Sequence, residues 1–259
     1  PPDSRSPSTT ATPSPKSSAS PTSTARGSGR SGWIPSSAGL ARFSAVNDPR
    51  ELAQNRPSRT YSSQDGLFAD EVFHVFEDCR GDIWLSVISE VKDTVHRWDR
   101  DEDKIHGYTT ADGLPEANAP TAFAEDAAGN VWIGFYSGGV ARFRGGKFDV
   151  LSARTGFPTG LVNAIHNDRN GRIWIATSNS GVVRIDDPDQ SEPSFVSISV
   201  KDGLSSNQAN CITEDHLGRV YIGTARGINR LDPRTGRFKL YTRTDGLPGN
   251  SIGRCARDG

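Results

Sequence analysis

Five histidines, His74, His96, His106, His166 and His216, are the first residues to ask about acid–base or metal chemistry, and they are scattered, three of them between residues 74 and 106. No His-Glu-x-x-His and no zinc-ligand spacing accompanies them. Catalysis of a lyase or glycosidase type would need a carboxylate pair or a His–Glu cluster converging from distant segments, which spacing alone does not display. The sequence therefore assigns no catalytic residue, no metal ligand and no cofactor, and it leaves the ligand contacts unassigned. Cys79, Cys211 and Cys255 are likewise far apart. They read as small buried or turn residues. A Cys211–Cys255 disulfide stays open, because both fall in the same strand of successive repeats, and an odd total does not force one.

Other chemistry-bearing residues recur instead of clustering. Asp78, Asp126, Asp168 and Asp215 each stand three residues before a glycine. Calcium ligation is one use of such a series, but an aspartate at that place in a turn accepts backbone N–H bonds as an Asx-turn, and the structural role is the expectation. Arg42, Arg97, Arg142, Arg184 and Arg230 occupy one position in every copy. They could hold an anionic sugar, yet a side chain demanded by every copy serves the copy first, for instance by pairing with an aspartate of its neighbour. Trp33, Trp84, Trp132 and Trp174, with Tyr221 as the fifth member, are flanked by apolar residues and read as packing between units, not as a sugar-stacking set.

The elements that carry these residues repeat. Asp-Gly-Leu begins at Asp65, Asp112, Asp202 and Asp245, with Thr155-Gly156-Phe157 standing in once, so successive markers lie 47, 43, 47 and 43 residues apart. An alternating strand ending in the acidic turn follows at 72–78, 120–126, 162–168, 209–215 and 252–258. A strand with a central aromatic comes next, then the arginine strand after a Gly-containing turn, then a short closing strand such as Phe238–Thr242. Four antiparallel strands per forty to fifty residues is the signature of an all-β fold, a β-propeller of four-stranded blades, with about five blades' worth of sequence here. Repeats are expected at 65–111, 112–154, 155–201 and 202–244, with partial blades at 33–64 and 245–259. The terminal halves pairing to close a five-bladed ring is one arrangement; a piece of a larger propeller is the preferred one.

Residues 1–32 are dominated by Ser, Thr, Pro, Ala and Gly and are expected to be disordered, while Asp48–Ala53 suits one helical turn. The chain carries 30 basic and 31 acidic residues, a net charge of −1, so charge gives no reason to expect nucleic acid or a membrane surface as a partner. No apolar run reaches the length of a membrane helix.

Asp112-Gly113-Leu114-Pro115, Glu125-Asp126, Gly129 to Gly134 and Gly138 to Phe143 together resemble the two-component regulator propeller repeat, and the resemblance extends from Trp33 to Gly259. Departures are Thr155-Gly156-Phe157, Ala176 and Ser86 in glycine's place, and an insertion at Ser89 to Asp93. The resemblance implies an extracytoplasmic, periplasmic sensor domain of a bacterial inner-membrane receptor. It would take a small-molecule or oligosaccharide ligand and pass the bound state to downstream domains of the same receptor, with no catalysis in this chain. A polysaccharide-acting propeller enzyme or a protein-interaction scaffold are the alternatives. Ligand specificity is expected where repeats differ, at Ser89 to Asp93, Asn179 to Ser180 and Ser205 to Asn210.

Overall fold

A computed structural model describes residues 32–44, 55–88, 94–116, 118–232 and 235–255. The segment 1–31, the helical turn expected at 48–53 and the 89–93 insertion lie outside them.

Nineteen strands form five antiparallel sheets among the described residues. The first sheet has three strands, β1 (Gly32–Ser36), β2 (Gly39–Phe43) and β3 (Arg59–Tyr61). The second is β4 (Val72–Glu77), β5 (Ile83–Val87), β6 (Thr94–Asp99) and β7 (Lys104–Tyr108). The third is β8 (Pro120–Glu125), β9 (Val131–Phe135), β10 (Val140–Arg144) and β11 (Lys147–Leu151). The fourth is β12 (Val162–Asn167), β13 (Ile173–Thr177), β14 (Val182–Ile185) and β15 (Val196–Ile198). The fifth is β16 (Ala209–Glu214), β17 (Val220–Thr224), β18 (Gly227–Leu231) and β19 (Phe238–Tyr241). Strands pair in simple up-and-down order, so each sheet is a blade. Blades meet chiefly through their first strands, β4 with β8, β8 with β12 and β12 with β16, which places those strands innermost.

The Asp-Gly-Leu marker is the hinge between blades. At 62–66, 109–113, 152–156, 199–203 and 242–246 the chain makes one 3₁₀ turn, opened by Ser or Thr and closed by a glycine at positive φ, such as +106° at Gly66. The residue before that glycine caps the turn backwards: Asp65, Asp112, Asp202 and Asp245 each accept the N–H of Ser62, Thr109, Ser199 and Thr242 at 2.8–2.9 Å. Thr155 does the same with its hydroxyl, accepting from Ser152 N at 3.0 Å, so its departure from the pattern keeps the cap. The following Leu67, Leu114, Phe157 and Leu204 are buried between blades.

Two expectations change at the C-terminal end. Residues 252–255 form no strand, and no described residue there pairs with β1–β3, so strand pairing does not close a five-bladed ring. Cys211 and Cys255 form a disulfide, which replaces the reading of them as simple packing residues. It ties β16 to the segment that begins the next repeat. Cys79 is exposed in a turn and is free, in keeping with the expectation for it.

Candidate functional site: one mouth of the central channel

The recurring residues belong to the blades. Each aspartate sits six residues before its aromatic partner. Asp78, Asp126 and Asp168 accept the indole N–H of Trp84, Trp132 and Trp174 at 2.8–3.0 Å, and Asp215 accepts the Tyr221 hydroxyl at 3.0 Å. The other carboxylate oxygen takes backbone N–H bonds two and four residues on, as at Ala128 and Asn130 above Asp126. These are the Asx-turns expected, extended by a bond to the aromatic ring that sequence reasoning missed; the constant spacing of six was the available signal. Burial works against ionisation of Asp168, but bonds from Trp174 and from the amide and guanidinium of Arg172 outweigh it and hold the carboxyl below its ordinary range.

The arginines complete the unit. Arg42, Arg97, Arg142 and Arg184 are direct cross-strand partners of Trp33, Trp84, Trp132 and Trp174, with guanidinium carbons 5.5–5.8 Å from the ring centres. Their acidic partners are of two kinds. Arg97 and Arg184 pair with Asp99 and Asp186 of their own blades, and Arg142 with Asp149, whereas Arg42 reaches Asp103 of the neighbouring blade. Arg142, 1% exposed in its side chain, also donates to the backbone carbonyls of Pro188 and Gln190 in the next blade. The tryptophans fill the blade interfaces: Trp84, Trp132 and Trp174 are fully buried.

The variable loops that lie within the described residues spend their polar groups internally. Ser180 Oγ donates to Thr159 O at 2.7 Å, Ser205 N to Asn229 Oδ1 at 3.0 Å, and Asn207 Oδ1 accepts from Val200 N. These loops lie where the innermost strands begin.

The cavity lies where those strands end. It has a volume of about 560 Å³ and is lined by ten residues from the ends of β4, β8 and β12 and the turn after β4: Phe76, Glu77, Asp78, Cys79, Phe123, Ala124, Glu125, Ile165, His166 and Asn167. Glu77, Glu125, Asn167 and Glu214 share one position in successive repeats. Two of these glutamates hold the adjacent blade. Glu125 Oε2 accepts from Cys79 N at 2.8 Å, and Glu214 Oε2 accepts from Arg169 N at 2.8 Å while its other oxygen takes the Arg169 guanidinium. Asn167 Nδ2 donates to Glu125 O at 2.9 Å. Glu125 Oε1 and Asn167 Oδ1 are buried atoms with no hydrogen-bond partner among the described residues. The Glu125 carboxylate, with burial adding to it, pushes the Cys79 thiol up.

The histidines separate by environment. His166 lines the cavity and its Nε2 lies 4.0 Å from Glu214 Oε2, a His–Glu approach of the kind catalysis would need, although Arg169 occupies both oxygens of that carboxylate. His96 is fully buried inside its blade, where Phe68 N donates to its Nε2 at 3.1 Å. His106 lies beside Glu102 and Asp99 on the β6–β7 hairpin, with Glu102 Oε2 3.3 Å from its Nε2.

Residues 156–179 and 203–226 match the family described as Two component regulator propeller. Among solved structures it is similar to the extracellular domain of a putative hybrid two-component system from B. thetaiotaomicron, at 21% identity and TM-score 0.59 over 93% of this chain and 36% of that one. The extracellular domain of a putative one-component system from B. thetaiotaomicron matches at 20% identity and TM-score 0.60, over 82% of this chain and 29% of that one. A virginiamycin B lyase from Staphylococcus aureus matches at 15% identity and TM-score 0.59, over 82% of this chain and 66% of that one. The chain thus spans about a third of the length of the two bacterial extracellular domains. No curated protein matches.

Proposed function

We propose that this chain, two stretches of which match the two-component regulator propeller family, is part of an extracytoplasmic sensor. It binds a small ligand at the mouth lined by β4, β8 and β12 and transmits occupancy to further domains of a membrane receptor. The observation that carries the reading is the combination of those matches with a 560 Å³ cavity whose lining keeps two buried acceptors unsatisfied. Recurrent aspartates, arginines and tryptophans are consumed by the blades, so discrimination falls to residues that differ between repeats at this mouth. Signalling through such a site needs the ligand to favour one arrangement of propeller and following domain, since equal affinity for both shifts nothing.

Turnover at this mouth is the second reading, favoured by the His166–Glu214 approach and by the likeness of fold to a lyase. Glu214 is held by Arg169 as an interblade strut, which leaves it no free oxygen for proton transfer. The test is thermal stability across a panel of oligosaccharides, amines and organic acids. Saturable stabilisation by one class, abolished by Asn167→Leu and without consumption of the compound, is the expected result. Stabilisation by none counts against sensing, and consumption of a compound places the protein among the enzymes.

A further inference from the structure

The proposed sensor site has a definite chemical bias, and we infer that its ligand is a small organic cation, an alkyl diamine or polyamine. This deepens the sensor reading and rests on it. Two of the ten lining residues, Glu77 and Glu125, are carboxylates outside the recurrent aspartate turns, the third acid, Asp78, being spent on Arg80 and Trp84, and none of the ten is Lys or Arg. Two basic side chains beside the mouth are matched already, Arg80 to Asp78 at 3.1 Å and Arg169 to Glu214. Glu125 Oε1 and Asn167 Oδ1, buried in the lining, are both acceptors, so the complement they lack is a donor. An ammonium group has three donors and no acceptor, which suits that pair better than a hydroxyl that must also be accepted for.

The apolar part of the lining points the same way. Phe76 and Phe123 lie almost parallel, 8° apart with ring centres separated by 6.3 Å, and Ile165 and Ala124 complete the floor. Aromatic faces beside carboxylates attract a cation through both its charge and the ring quadrupole, and methylene groups pack against the same rings. An anionic sugar meets neither feature. A neutral sugar finds acceptors but forfeits the charge complementarity, which in a partly enclosed mouth is screened less than at an open surface.

Binding of putrescine and spermidine is measured by calorimetry on the whole chain, beside N-acetylputrescine and a neutral oligosaccharide panel, at 20 and 500 mM salt. Putrescine or spermidine should saturate one site, weaken at high salt, and lose at least fivefold in affinity when one amine is acetylated. Glu125→Gln keeps the shape and an acceptor for Cys79 N, and should weaken binding at least fivefold with the melting temperature of the free protein little changed. Asn167→Asp supplies at that position the carboxylate the other repeats carry, and should tighten binding severalfold, a gain that damaged folding does not produce. Amine binding indifferent to both substitutions would mean a general surface effect and overturn the inference. A neutral sugar that saturates the site while amines do not would overturn it and leave the sensor reading standing. Silence from every compound would sink both.

Discussion

His96 is the residue whose environment is most at odds with its charge. It is fully buried, and burial depresses its pKa to about 4. Phe68 N donates to Nε2, which must therefore be unprotonated, and Nδ1 is left to face Thr94 Oγ1 at 3.4 Å. Unfolding frees the ring to titrate near 6.5. Because the folded value is the lower one, its contribution is intact above pH 6.5, is lost as pH falls from there, and is fully lost below about 4, a total of about 3 kcal/mol. His74, held down by burial and by Arg254, adds in the same sense. The carboxyls held below their ordinary range, Asp168 among them, act only below about pH 4 and occupy a separate window. Urea unfolding at pH 7.5, 6 and 4.5 should show this decline, and His96→Gln, though less stable at neutral pH, should flatten it. The Asp–aromatic bond sets a second expectation at this scale. Asp126→Ala strands the buried Trp132 indole and Asn130 N–H and frees the Ala128 N–H, and should cost about 3 kcal/mol in chemical denaturation. A loss under 1 kcal/mol would show the bond to be incidental.

Blade stacking is decided by size complementarity along the innermost strands. Gly134 lies where a Cβ would come within 2.3 Å of Val162, and at Gly223 a Cβ would come within 2.7 Å of Ile252. The copies without glycine at this place fit the same rule: Ala176 shares a core cluster with the small Ala209, and Ser86 donates its hydroxyl to Pro120 O at 2.7 Å. That bond also explains Phe73. In the other blades Thr121, Asn163 and Asn210, placed beside the register shift that opens each innermost strand, reach the next repeat's carbonyl at 2.7–2.8 Å, and Phe73 has no donor to offer. Gly134→Ala should therefore lower stability by about 2 kcal/mol, and Val162→Ala added to it should recover part of the loss in a double-mutant cycle. Additive losses would break the pairing. Such pairs show why the fold was legible and the site was not. Repetition writes Asp126, Trp132 and Arg142 into every copy, so period and blade follow from counting. The mouth is built from Glu125, His166 and Asn167, residues of different repeats whose meeting depends on how blades stack, and nothing local in the sequence marks it.

At the scale of the whole molecule, the main contacts between blades among the described residues are between neighbours, so stability is expected to add from blade to blade instead of appearing as one cooperative quantity. The Cys211–Cys255 bond, spanning 44 residues, is the covalent member of this neighbour-to-neighbour series. It fastens the segment beginning at Ile252 to β16, on the route that Asn210 follows with its bond to Ile252 O. Closing a loop of that length restrains the unfolded chain by about 4 kcal/mol at most. In a repeat architecture that loss should fall on the last blade. Reduction, or Cys255→Ser, should therefore speed amide hydrogen exchange in 209–214 and 250–255 while leaving β5 and β9, three and two blades back, at their former protection. Exchange that accelerates evenly from β5 to β19 would mean that the blades unfold as one body.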